Sequence, residues 1–224
     1  LKNVLLGIVF AILVFIIFVF TAVDMTGMTD ISFYRYEFSK NMTEKATSMT
    51  ERNLEDSMSV VIDYMKGQSN SMNFYIKENG KEKPVFNARE KRHMEDVRKI
   101  VLDCIWIRRA AFAAVLFILI LLKELCLNRR VFFKATAITF LVLTAFSLVA
   151  FIIVANGFGN AFVVFHHILF NNNYWLLDPN NSLLINMLPQ TFFSDVFMRA
   201  SFVALALTVT SAAFFEAESF MDFR

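Results

Sequence analysis

Apolar runs of membrane-crossing length alternate with polar segments along this 224-residue chain. A helix needs about 20 residues to cross a ~30 Å hydrocarbon layer, and four stretches meet that length: 1–23, 105–123, 135–156 and 196–215. In the first, the run from Val4 to Val23 holds nothing stronger than Gly7 and Thr21. Phe20, two residues before Ala22, spoils the small-x-small pattern of a cleaved signal, so an uncleaved anchor is expected. In the second, the uncharged part from Ala110 to Leu122 covers only about 20 Å as helix, so the span must reach outward past Arg108 and Arg109. From Val85 to Asn156 the chain has neither Gly nor Pro. A helix leading into the second span therefore either continues straight or bends near Asp103.

The polar pattern between the spans predicts a small domain. In 24–104, Leu54, Met58, Val61, Ile62 and Met65 fall at helical spacing that ends at Gly67. "FYIKENGKEKPVF" reads as two short strands about an Asn79-Gly80 turn. Asn87 and Glu90 fit a capping box opening a helix that carries Met94, Val97 and Val101 on one side. His93 lies beside that face, one turn before Asp96. In 157–195, Tyr174, Trp175 and Phe192-Phe193 suit an aromatic belt at the headgroup level, as in an interfacial segment.

Charge then orients the spans. The short loop 124–134 with its flanks carries Lys123, Arg129, Arg130 and Lys134 against Glu124, and Lys2 precedes the first span. Positive-inside counting puts that loop, the N-terminus and the tail 216–224 in the cytoplasm, with 24–104 and 157–195 outside. The expected fold class is an α-helical membrane protein, four transmembrane helices with a small mixed α/β extracytoplasmic domain. A net charge of only +2 gives no footprint for nucleic acid, and no nucleic-acid partner is expected. Cys104 and Cys126, if on one helix, lie roughly 33 Å apart, too far for a disulfide.

Candidate chemistry is sparse. There are three histidines, His93, His166 and His167. Neighbours on a helix point about 100° apart, so only one of the adjacent pair can face a given site. No HExxH or CxxC is present, and no metal is expected. There is no G-x-S-x-G, and Ser182 and Ser194 read as loop serines. Asp24 and Asp178 stand at span boundaries, where turn and cap roles suit them, and Asp178-Pro179 is a turn signal. Arg108 and Arg109 suit either a lipid phosphate or simple snorkelling. These residues alone are compatible with a non-enzymatic lipid- or partner-binding membrane protein as well as with an outward-facing enzyme.

Two motifs narrow the choice. "EKRHMEDV" (Glu90–Val97), followed far downstream by "FHHILF…W…D…LI…LP…FF", resembles the bacterial lipoprotein intramolecular transacylase family, Lit. The family's F-H-x-I-F-F pattern places its histidine on His166 and leaves His167 in the variable position. Leu169 departs from the usual aromatic there. The motif also falls on Asp96, Trp175, Asp178, Pro189 and Phe193. The resemblance implies a cofactor-free acyltransferase in the bacterial plasma membrane, with its active site at the outer face among membrane lipids. It implies a diacylated lipoprotein substrate whose sn-2 acyl chain moves from glycerol to the α-amino group of the same cysteine, leaving a lyso form.

The residues suit that reaction. Donor ester and acceptor amine belong to one molecule, so no Ser or Cys nucleophile is needed. The cyclic transition state is eight-membered and closes slowly unless held, where effective molarity supplies roughly 7–11 kcal/mol. Proton transfer remains, for which His166 is expected as base toward the amine. His93 is expected as donor to the leaving oxygen or the oxyanion, kept protonated by Asp96, and the sequence admits the reverse assignment of the two histidines as well. Trp175, Asp178 and Arg108 are expected as supporting or substrate-binding residues. An intermolecular lipoprotein N-acyltransferase is the rival enzyme. It would need an outer-face nucleophile, for which Cys104 is the one nearby thiol and a poor one, with no histidine near it in sequence.

Overall fold

The computed structural model describes residues 1–78, 80–124 and 128–221. Asn79 of the expected turn and Cys126 lie outside the described residues. The elements run α1 (Lys2–Gly27), α2 (Ile31–Lys40), α3 (Thr43–Thr47), α4 (Glu51–Met65), β1 (Tyr75–Glu78), β2 (Lys81–Pro84), α5 (Ala88–Glu124), α6 (Arg129–Asn156), α7 (Phe158–Leu169), α8 (Leu183–Met187) and α9 (Gln190–Phe220). Four of them, α1, α5, α6 and α9, are long and apolar enough to cross a membrane. Together with the small two-stranded sheet, this is the expected fold class. α5 runs unbroken through Asp103, as the absence of Gly and Pro allows.

The chain divides into two compact units, the first made of 1–25, 105–156 and 197–224. Its helices meet through small residues and phenylalanines. Ala22, Ala200 and Ala204 form one buried cluster, and Ala11, Phe140 and Ala212 another. Small side chains let helix backbones approach where no hydrophobic effect drives them together. Gly7 marks a close approach: a Cβ there would stand 2.7 Å from the carbonyl oxygen of Phe132. Thr136 Oγ1 lies 3.3 Å from Gly7 O and 2.9 Å from Phe132 O, donating within this crossing of α1 and α6. The outward faces are apolar, with Phe146 71% and Ile153 67% exposed, as lipid-facing helices require.

The second unit holds 26–104 and 157–196. α4 follows its predicted stripe, with Leu54, Met58, Val61 and Met65 buried and Ile62 at the edge. β1 and β2 pair antiparallel with Glu78 opposite Lys81, and Gly80 takes φ +78°, a left-handed value that suits glycine. The helices α2, α3 and α8 are not signalled by periodicity. α2 nonetheless buries Phe33, Tyr34 and Phe38, and Phe192 at the start of α9 packs 5.3 Å from the Tyr34 ring. Asp30 caps α2 by accepting from Phe33 N at 3.2 Å.

Candidate active site

All three histidines lie in the second unit, on α5 and α7. The first turn of α5 is set by the reciprocal capping expected of Asn87 and Glu90: Asn87 N donates to Glu90 Oε2 at 2.6 Å, and Glu90 N to Asn87 Oδ1 at 3.0 Å. The other oxygen of Glu90 has a second task. It accepts from Ser182 Oγ at 2.5 Å and from Leu184 N at 2.8 Å. The Glu90 side chain is fully buried, so these donors replace the water it has lost. One turn beyond His93, Asp96 Oδ2 accepts from Asn172 Nδ2 at 2.8 Å. Asn87 Nδ2 donates to Asn181 O at 3.0 Å, and Arg89 donates to Asn173 O. The polar loop after α7 is thus tied at several points to the first turns of α5. Asn172 makes its tie through the side chain, and Asn173 and Asn181 make theirs through backbone carbonyls.

These ties bring two imidazoles together. The rings of His93 and His166 lie 6.0 Å apart, centre to centre, inclined by 35°. Phe170 packs on both, at 5.2 Å from His93 and 5.6 Å from His166. His166 is further held between Phe162 at 4.3 Å and Trp175 at 4.8 Å, and is only 7% exposed. Its Nδ1 stands 2.7 Å from the carbonyl oxygen of Phe162, one turn earlier in α7. A carbonyl only accepts, so Nδ1 carries the hydrogen in the neutral ring and Nε2 keeps the lone pair. The ring's tautomer is therefore the one a base requires.

The electrostatics depart from expectation in one respect. Burial pushes the His93 imidazole down to about 4, the facing His166 adds to this, and Asp96 opposes it only in part. Asp96 does not keep His93 charged; its carboxylate is directed to Asn172, with Lys99 3.5 Å away. Burial also lowers His166, more than its bond to Phe162 raises it. Both rings are neutral near pH 7. His93 can still donate through its ring N–H, as a neutral group.

The other expected site residues take different places. Trp175 does not project from the surface as a belt residue would: it is buried beside His166 and touches His167 edge-on at 5.1 Å. Phe192 is likewise buried, and Phe193 packs on Phe162 at 5.4 Å. Asp178 is occupied by its own turn, accepting from Asn180 N, Asn180 Nδ2 and Asn181 Nδ2, each at 3.0 Å. Arg108 belongs to the first unit, where its Nη1 donates to Asp24 Oδ2 at 3.0 Å. His167 is exposed, a consequence of the 100° step along α7. Residues that the motifs do not single out, Asn172, Ser182 and Glu90 in its second role, carry the ties. Among the described residues, no three His, Cys, Asp or Glu side chains converge on a metal position.

Comparison with known proteins bears on both fold and family. The family model described as lipoprotein intramolecular transacylase Lit matches residues 8–193. The fold is similar to the in meso structure of the membrane integral lipoprotein intramolecular transacylase Lit from Bacillus cereus, with a TM-score of 0.79 at 18% identity. That match covers 96% of this chain and 95% of the other. Two in meso structures of the same Bacillus cereus protein, with a histidine replaced by arginine or by alanine, match at TM-score 0.74 and 18% identity. Each covers 96% of this chain, and 91% and 93% of the other respectively. A search of curated protein sequences returns no match.

Proposed function

The chain belongs to the lipoprotein intramolecular transacylase family, Lit, and from that premise we propose that His93 and His166 carry its acyl shift at the outer membrane face. The substrate is a lipoprotein whose N-terminal cysteine bears diacylglycerol on sulfur. The unprotonated α-amine attacks the sn-2 ester carbonyl of the same molecule, forming a C–N bond. The nitrogen becomes positive and strongly acidic, so a base of low pKa suffices, and His166 Nε2 takes its proton. The tetrahedral centre then collapses, breaking the C–O bond to glycerol. His93 donates its neutral N–H to the departing oxygen, and the proton held by His166 passes to that oxygen. One proton has moved from nitrogen to oxygen, both imidazoles end as they began, and no covalent enzyme intermediate forms.

The observation that carries this reading is the facing pair itself. Two imidazoles, His166 buried and His93 half-buried, lie 6.0 Å apart, and His166 has its tautomer set by Phe162. General acid–base help of this kind contributes about 10²–10⁴-fold. His93→Ala or His166→Ala should therefore lower kcat by at least about 10²-fold in protein that still unfolds cooperatively at the parent temperature. His167→Ala should cost less than about tenfold, since that side chain is exposed. Cys104→Ala should leave turnover intact. Product formation from a diacyl lipopeptide measures all four, and a dead Cys104→Ala enzyme would revive an acyl-enzyme route.

A further inference from the structure

Trp175 holds a hydrogen-bond donor that the two histidines leave unused. The residue is 9% exposed, and its enclosed Nε1–H has no hydrogen-bond partner among the described residues. Buried indole N–H groups normally meet an acceptor, and an orphaned one is uncommon enough to call for an explanation. Here the indole lies against the base, 4.8 Å from the His166 ring and inclined by 33°. The loop that carries it is fixed to α5 through Asn172 and Asn173, so the donor is held in place before any substrate arrives.

Resting on the acyl shift described above, we propose that the Trp175 N–H donates to the carbonyl oxygen of the migrating acyl group as that oxygen becomes an oxyanion. When the amine adds to the carbonyl carbon, the C=O π pair moves onto oxygen. When the glycerol C–O bond breaks, the same pair restores the double bond. During the interval the oxygen is negative and needs a donor that does not surrender its proton. An indole N–H is such a group: it only donates, and it neither takes the amine's proton nor protonates the leaving oxygen. The three polar demands of the reaction then fall on three side chains. The amine faces His166, the leaving oxygen faces His93, and the oxyanion faces Trp175.

Trp106 is the one other tryptophan, so a Trp106→Phe background isolates the effect. In it, Trp175 is replaced by 3-benzothienylalanine, which keeps the ring's size and shape but has sulfur in place of N–H. Loss of one oxyanion donor should lower kcat by about 10²–10³-fold, with KM within about twofold and the unfolding temperature unchanged. A kcat within about threefold of the background, or an effect confined to KM, would overturn the assignment. A second readout needs no altered Trp175. With ¹⁵N-indole labelling, the Trp106→Phe protein has a single indole N–H resonance, which should move downfield on binding a phosphonate mimic of the tetrahedral centre. An unmoved resonance with the mimic bound would also overturn it. Failure of the underlying reading looks different: no acyl shift by the unaltered protein, or full activity in both histidine-to-alanine variants. Neither outcome depends on Trp175.

Discussion

His93 stands one helical turn from Asp96, yet it titrates well below the ordinary imidazole value because lost hydration and the facing His166 outweigh the carboxylate. The unfolded chain binds a proton there near 6.5 and the folded chain only near 4, so between those values the unfolded state holds more protons. Stability from a neutral His93 is present in full above about 6.5 and is lost as pH falls toward about 4. Thermal unfolding measured from pH 7.5 down to 4.5 should show this slope, and His93→Gln should flatten it. An equal slope in both proteins would show that another group is responsible. Catalysis carries the same signature. With both rings already neutral, kcat/KM should rise through the substrate amine, near 7.7–8.0, without an imidazole limb near 6.5.

At the scale of elements, Glu90 determines whether α5 and the loop after α7 share a register. Its carboxylate serves the N-terminus of its own helix through Asn87 and reaches Ser182 and Leu184. Glu90→Ala would orphan buried donors on both sides, at a cost of about 1–3 kcal/mol each. The expected outcome is a marked fall in unfolding temperature, with loss of activity even where folding is rescued by lower temperature. Wild-type activity in a destabilised Glu90→Ala protein would separate the tie from the site. Much of this architecture is legible in sequence, because its signals are local. An apolar run of about 20 residues declares a span, Asn87-x-x-Glu90 declares a helix start, and the stripe from Leu54 to Met65 declares α4. What is not legible is long-range. Glu90 to Ser182, Asp96 to Asn172 and Arg89 to Asn173 join residues far apart in the chain, and such pairs leave no periodic trace. The burial of Trp175 was hidden for the same reason: an aromatic next to polar residues reads as a belt until its packing partners, His166 and His167, are known. Asp96 shows both cases at once, since its spacing to His93 is local and legible whereas its bond from Asn172 is neither.

At the scale of the whole molecule, four apolar helices keep the protein in the bilayer with its substrate, and the reaction draws on nothing beyond that one lipid-modified molecule. This is the central claim, and conservation of mass tests it. An intramolecular shift isomerises the diacyl lipopeptide, whereas transfer from a phospholipid adds a whole acyl chain. Purified diacyl lipopeptide incubated with the protein in detergent, without added phospholipid, should keep its intact mass by mass spectrometry. Fragmentation should place one chain as an amide on the cysteine nitrogen and one on glycerol. A gain of one acyl chain, or a free amine after long incubation with folded protein, would contradict the account.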